Sequence, residues 1–316
     1  LGPSSWLPKV LEEYPLIGVF MPVRERAWIL PETLKSLADQ DYPADRLFFY
    51  FLVNDSTDES ETLCREWLAQ TGRRGEVEVW NRGITPDVRY DLAMRRSIYG
   101  PLGDLRNRGL EFIRGLGAKW LFLSWDSDNL APPWAIRQLV ARKRDVIMVS
   151  VSNVQPGQDH RLAALNASLL GKSEDLPYIV PRPWTPGECE VRWGGVVMLV
   201  SPEALHSGAE YAGTPVGEDL PFCRGLRKQG FRLYQDGDLV CHHIIDREDL
   251  DRYHRGEYWR PPWGPHYATL AAQQLQLYRK PPILLVTSVA WGCTGGGQRP
   301  RQLARPVEPL CPRLST

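Results

Sequence analysis

Short apolar runs separated by segments of helical period constrain this chain more than any other feature. LIGVFMPV (16–23), RLFFYFLVND (46–55), GEVEVW (75–80), KWLFLSW (119–125) and DVIMVSV (145–151) read as strands, most of them apolar on both faces as in a parallel sheet. Between them, WILPETLKSLADQ carries apolar residues at helical spacing with Pro31 in its first turn. STDESETLCREWLAQ opens on Ser and Thr ahead of acidic residues, and GDLRNRGLEFIRGLG is amphipathic. Strands alternating with helices predict an α/β fold, a mostly parallel sheet with helices on both faces. In such a sheet the ligand sits beyond the carboxyl ends of the strands. Val23–Arg24, Asn54–Asp55 and Asp126–Asp128 all fall there.

The second half is less regular. PRPWTPGECEVRWGGVVMLVSPEAL is Pro-rich and then reads as a strand through Val196–Val200. EDLPFCRGLRKQG predicts a helix closed by Gly230, and FRLYQDGDLVCHHI one or two short strands. From Trp291 onward the chain is rich in Gly, Pro and Arg and reads as a tail. No internal repeat is present.

Composition narrows the function classes. The 316 residues suffice for one large α/β domain or two small ones. Lys plus Arg and Asp plus Glu both number 38, which argues against a protein that coats nucleic acid. The six cysteines are scattered without a CxxC pair, so a zinc ribbon or redox motif is not expected and a reducing, cytoplasmic setting fits. No apolar run reaches the roughly 18 residues of a membrane span; PPILLVTSVAW is too short, and LGPSSW lacks a signal-peptide pattern. RYHRGEYWRPPWGPHY (252–267) mixes Arg and Trp as an interfacial loop does, so peripheral contact with the inner face of a membrane stays open beside an ordinary surface loop.

Several residue patterns carry chemistry. Asp126 and Asp128, one residue apart after a buried strand, are hard oxygen ligands able to share Mn²⁺ or Mg²⁺ and offset a diphosphate's charge; solvated loop aspartates are the plainer alternative. Glu218-Asp219 opens a helix, where acids serve as caps or, facing a crevice, as a general base. His242 and His243 lie on one strand and point to opposite faces, so only one of them can join Asp128. Gly194-Gly195 allows close backbone approach or makes a turn. Arg106 and Arg108 precede the Asp-Ser-Asp strand on a helix, facing phosphates or solvent.

In order, IGVFMPVRERAWILPETLKSLADQDYP, VNDSTDES, LRNRGLEFIRGLGAKWLFLSWDSD, RWGGVVMLVSPEAL, GEDLPFCRGLRKQGF and LVCHH resemble the GT-A-fold glycosyltransferases. The likeness is to their large inverting family 2, which includes bacterial polysaccharide and cell-surface sugar transferases, and covers roughly residues 15 to 245. It implies a GT-A, Rossmann-like sheet with a smaller acceptor-side region. The implied division is an extension at 1–14, a nucleotide-sugar half at 15–150, an acceptor and catalytic half at 151–250, and a C-terminal extension and tail at 251–316. Nucleotide contacts would come from Pro22, Val23, Arg24, Asn54, Asp55, Arg106, Asn107, Asp126 and Ser127. The first acid of the family's DDGSTDGT pattern is Val53 here, which leaves Asn54 or Asp55 to meet the base.

Asp126, Asp128 and His242 match the family's metal site for Mn²⁺ or Mg²⁺, Asp219 beside Glu218 its catalytic base, and Trp193, Gly194 and Gly195 its acceptor pocket. The implied reaction moves a hexosyl group from a nucleotide-diphosphate donor, UDP-sugar favoured, to a hydroxyl on a glycan, lipid-linked or protein acceptor, with inversion. Two rival readings remain. A sugar-nucleotide nucleotidyltransferase would carry a Gly-rich loop where PVRERAWILP has none. A non-catalytic nucleotide- or glycan-binding protein would tend to lose Asp126, Asp128 or Asp219, all of which are present.

Overall fold

The computed structural model describes residues 14–83, 92–153, 167–169, 187–214 and 217–257, all within one compact unit. The tail from Trp291, the apolar PPILLVTSVAW stretch and residues 258–267 of the Arg- and Trp-rich stretch lie outside them. The first half runs β1 (Ile17–Val23), α1 (Leu30–Ala38), β2 (Leu47–Val53), α2 (Ser60–Thr71), β3 (Gly75–Val79), α3 (Leu92–Leu116), β4 (Leu121–Ser124) and β5 (Asn129–Leu130). It continues through α4 (Ala135–Ala141), β6 (Val146–Asn153), β7 (Ala167–Leu169), β8 (Glu188–Gly194) and β9 (Met198–Val200). The last elements are α5 (Pro202–Leu205), α6 (Asp219–Lys228), β10 (Leu233–His243) and α7 (Arg247–His254).

One sheet gathers the strands in the order β3-β2-β1-β4-β9-β6-β10-β8-β7, with β5 paired to β10. β3, β2, β1 and β4 are mutually parallel; β9 runs antiparallel between β4 and β6, and β10 is parallel to β6. The expected α/β class, a largely parallel sheet flanked by helices, is the one the chain adopts. Two-residue periodicity makes both faces apolar. Ile17, Val19, Met21, Leu47, Phe49 and Phe51 face the side covered by α1 and α2, while Phe20, Tyr50 and Leu52 face α3. Helix α3 lies close because it presents Gly109 to the sheet; a Cβ there would meet the Phe20 ring at 2.5 Å.

Departures from the sequence expectations fall in the second half. β8 was not expected, since its strand is half-buried and follows a Pro-rich run. The strand expected over Val196–Val200 begins only at Met198, because Val196 turns the chain with φ +82°. FRLYQDGDLVCHHI forms one strand whose register shifts between Asp236 and Val240. Buried Asp236 fixes that irregularity. It accepts from Arg142 Nε at 2.8 Å and Gln138 Nε2 at 2.9 Å, while Arg142 Nη2 also reaches Asp238 at 3.0 Å.

Candidate functional site

The carboxyl ends of β1, β2 and β4 bring together the loops that the sequence singles out. Pro22 and Val23 are buried strand residues, so what they offer the crevice is backbone; Val23 pairs with Val53, and the Val23 carbonyl accepts from Asn54 N at 2.9 Å. The segment after β1 is fastened to the one after β2 by several hydrogen bonds. Glu25 N donates to Ser56 Oγ (3.0 Å), Arg26 N to Ser60 Oγ (2.9 Å), Ala27 N to Asp58 Oδ2 (2.9 Å), and Thr57 N to Glu25 Oε1 (2.6 Å).

Asp55 sits in the left-handed region at φ +42° and binds the chain that follows β3. Its Oδ1 accepts from Arg82 N and Gly83 N, both at 2.7 Å. Burial pushes this carboxyl up, but those amides, the Asn54 side chain and the Arg24 charge prevail and hold it below the usual carboxylate range. Asp55 Oδ2 is buried and accepts no hydrogen bond among the described residues. Arg82 lies over the Trp80 ring at 4.4 Å. The segment from Trp80 to Gly83 thus belongs to this rim. Only its place at the end of GEVEVW could have signalled it.

Arg106 is the electrostatic centre of the second cluster. Its position on α3 carries it to the carboxyl end of β4, where Nε donates to Glu218 Oε1 (2.7 Å), Nη1 to Ser124 Oγ (2.8 Å) and Nη2 to Asp126 Oδ2 (3.1 Å). Asp219 Oδ1 stands 3.9 Å from Nε. One cation therefore faces three acids. Arg106 is 3% exposed and Glu218 likewise, so the pair is an interior one and the arginine is taken up by carboxylates rather than presented to a phosphate. The sequence expectation placed Arg106 at the donor's nucleotide; in this structure its N–H groups meet Glu218, Ser124 and Asp126.

The surplus of negative charge shows in the carboxyls. Burial and Glu218, with Asp126 adding to them, lift Asp219 well above the carboxylate range against the pull of Arg106. Asp126 is also raised, by burial first, with Asp128 and Glu218 opposing Arg106.

Gly195 makes room for this arrangement. A Cβ on it would lie 2.1 Å from Asp219 Oδ2, so no side chain fits without moving the carboxylate. The left-handed turn at Val196 delivers the glycine there. Gly194 lends its carbonyl to Cys223 Sγ at 3.4 Å, and Trp193 packs on the core below. Asn107 turns away from the crevice. Its side chain exchanges two hydrogen bonds with the Tyr211 backbone, at 2.9 and 2.8 Å, and so holds the segment whose ring stacks on Phe222. The sequence expectation placed Asn107 at the nucleotide; in this structure its side chain serves the Tyr211 backbone.

Asp128 belongs to a third set. Its Oδ2 accepts from Arg26 Nη2 at 3.0 Å, and its Oδ1 accepts from Asn129 Nδ2 at 3.1 Å. His243 Nε2 stands 3.5 Å from the same Oδ1. Burial acts to raise this carboxyl, yet His243 and Arg26 hold it far below the ordinary range. The histidine beside Asp128 is therefore His243; His242 packs instead against the Tyr253 ring, 5.5 Å between centroids. The pairing of His243 with Asn129 on β5 sets this choice. Ser127 is buried, and its carbonyl accepts from Thr33 Oγ1 at 2.8 Å, tying the turn to α1.

The donor atoms here are of the kind a divalent ion takes, yet they do not form a cage. Among the described residues no three His, Cys, Asp or Glu side chains are grouped to hold a metal. Both oxygens of Asp128 are already engaged, and Asp126 is paired with Arg106. Arg26, absent from the sequence expectations, is the residue in the way. Its signal was the second arginine of PVRERAW, just past β1.

Residues 14–152 match the model of the N-terminal domain of glycosyltransferase family 25. A glycosyltransferase 25 family member of Drosophila pseudoobscura pseudoobscura is 41% identical over 63 residues, 19% of this chain and 10% of that protein. The inactive glycosyltransferase 25 family member 3 of Mus musculus is 28% identical over 138 residues, 42% of this chain and 23% of that protein. The matched segments thus span about a tenth to a quarter of these relatives' length. A crystal structure of GalNAc-T7 with UDP, GalNAc and Mn²⁺ superposes with a TM-score of 0.49 at 15% identity, covering 75% of this chain and 45% of that one. The resemblance to glycosyltransferases is upheld over residues 14–152, with family 25 as the matching model rather than the large inverting family.

Proposed function

We propose that this domain transfers a sugar from a nucleotide-diphosphate donor to a hydroxyl acceptor, with inversion and with Asp219 as general base. The observation that carries the reading is the position and chemistry of Asp219. It opens α6 at the crevice, keeps 17% of its side-chain surface exposed, and is surrounded by more negative than positive charge. A carboxylate whose affinity for protons is raised this way is a better base toward a hydroxyl than a free aspartate.

The half over 15–150 takes the donor, with Asp55, Trp80 and the backbone at Val23 and Asn54 at the nucleoside end and a UDP-sugar the favoured donor. The half over 151–250 takes the acceptor beside Trp193, Gly194 and Gly195. In a single displacement the acceptor oxygen bonds to the anomeric carbon, the bond from that carbon to the diphosphate oxygen breaks, and the hydroxyl proton passes to Asp219. Glu218 and Arg106 fix the position and charge of that carboxylate. They do not touch the reacting atoms. A divalent ion, when bound, would add charge neutralisation at the leaving diphosphate.

Asp219→Asn tests this. The expected result is a fall in kcat of roughly 10²- to 10⁴-fold with donor binding retained. A variant that turns over normally overturns the base assignment, and a product of retained anomeric configuration overturns the single displacement. A non-catalytic, donor-binding role is the second reading, favoured by the mouse relative described as inactive. It predicts donor binding with no transfer or hydrolysis in the unmodified chain.

A further inference from the structure

We propose that Arg26 is the resident cation of this site: it occupies Asp128 where a divalent ion would sit, and it presents its guanidinium to the donor's diphosphate, so that the nucleoside diphosphate binds without metal. The inference deepens the transferase reading and rests on it.

Arg26 is not a loose surface arginine. The loop that carries it is tied on both sides of the residue, by Glu25 N to Ser56 Oγ and Ala27 N to Asp58 Oδ2, and Arg26 N itself donates to Ser60 Oγ. These bonds set the backbone before the side chain reaches the crevice. The guanidinium then spends one Nη2–H on Asp128 Oδ2 at 3.0 Å, with 23% of the side chain still exposed.

Its Nε is buried and meets no acceptor among the described residues. A buried guanidinium N–H without an acceptor is costly, so this arginine is left under-satisfied by the protein alone, while 23% of its side chain remains open to an anion. The planar fork of an arginine matches two oxygens of a phosphate, which a point-charge ammonium does not.

Asp128, in turn, has little left for a metal. Arg26 and Asn129 hold its two oxygens, and His243 adds a third neighbour at 3.5 Å. Asp126, the other half of the expected pair, accepts from Arg106 Nη2 on Oδ2 at 3.1 Å, while its Oδ1 accepts no hydrogen bond among the described residues. Each carboxylate of the Asp-Ser-Asp turn therefore has its own arginine. A divalent ion on Asp128 would have to displace Arg26 or Asn129. Asp128 here is a positioning residue for Arg26.

The test is calorimetric titration of the whole chain with UDP and GDP, once in EDTA and once in millimolar MnCl₂, using the unmodified protein, Arg26→Met and Arg26→Lys. The expected result is nucleotide binding in EDTA within about threefold of that in Mn²⁺. Arg26→Met should lose roughly ten- to a hundredfold in EDTA, and Arg26→Lys should recover only part of it. Melting temperature checks that the variants fold. A manganese EPR titration of the unmodified chain should show no stoichiometric site below millimolar metal, a readout that needs no variant. Binding that appears only with Mn²⁺, or a tight Mn²⁺ site in the unmodified chain, overturns the proposal and leaves the transferase reading standing. Binding of neither nucleotide under either condition overturns the donor-site reading itself.

Discussion

Two arginine–carboxylate clusters in this molecule are made of the same parts and balanced in opposite ways. At the β10 irregularity Arg142 serves Asp236 and Asp238, which are 0% and 2% exposed at the side chain, and Gln138 adds a neutral donor. Every Asp236 oxygen has a donor, and the arginine's own proton affinity is raised, burial notwithstanding, by hydrogen bonds and charge from both aspartates. At the crevice Arg106 serves Asp126, Glu218 and Asp219, with the last at 3.9 Å, beyond hydrogen-bond reach. One cluster is closed and satisfied. The other keeps an acid under-compensated beside an opening, which is how a fold stores reactivity at a site rather than stability. The difference lies in how many acids each arginine serves, not in burial alone.

The largest expected effect comes from Arg106→Met, which leaves interior Glu218 without its cation and frees Asp126 and Asp219 to repel one another. Loss of one partner from a buried ion pair costs roughly 3–5 kcal/mol, and transfer activity should disappear with it. Denaturant melts with a CD readout give the first number, and a donor-consumption assay on the folded fraction gives the second. A variant both stable and active would show that the acids do not depend on this arginine.

Arg142→Met should cost somewhat less, about 3 kcal/mol, because Arg142 keeps 29% of its side chain exposed and water reaches the gap it leaves. The comparison sharpens on activity. Per folded molecule, Arg142→Met should transfer sugar as the parent does, since its partners hold a strand irregularity and not the crevice. A selective loss of kcat at unchanged stability would erase the distinction between the clusters.

Much of the parallel half of the sheet was legible from sequence, because Leu16–Val23 and Arg46–Asp55 state their burial in consecutive apolar residues. Their ends located the crevice, and the helix-opening Glu218-Asp219 fell where a first-turn acid pair belongs. What was not legible depends on contacts distant in the chain. Arg106 reads locally as a helix arginine; its acids arrive from 20 to 113 residues away along the sequence. The choice between His242 and His243 is a parity question. Between Asp236 and Val240, four residues of β10 advance against one of β6, an odd shift that flips which face each later residue takes. The residue that fixes that shift is Asp236, bound by Arg142 94 residues earlier. No count along LYQDGDLVCHH alone reveals it.

The smallest effect, and the one that separates stability from function, is the response to pH. Asp219 and Asp126 hold protons more tightly folded than unfolded, so across the window from the ordinary carboxylate range, about pH 4, up to their raised folded values the native state binds more protons. Stability contributed by these two groups therefore falls as pH rises through that window, by at most about 1.4 kcal/mol per pH unit for each group. Asp128 acts in the other direction. Its carboxyl is depressed, so its contribution is present above pH 4 and is lost as pH falls below it. Activity should move against Asp219's stability term, because the proposed base works only when ionised: kcat is expected to climb with pH through the raised value and then level. Asp219→Asn supplies the contrast, abolishing that rising limb while the variant melts higher than the parent above the Asp219 pKa, where the parent carries the unrelieved charge. Thermal melts and single-turnover rates across the same buffers read both quantities. A rising limb that survives in Asp219→Asn would assign it to another group and return Asp219 to the role of an ordinary helix-opening acid.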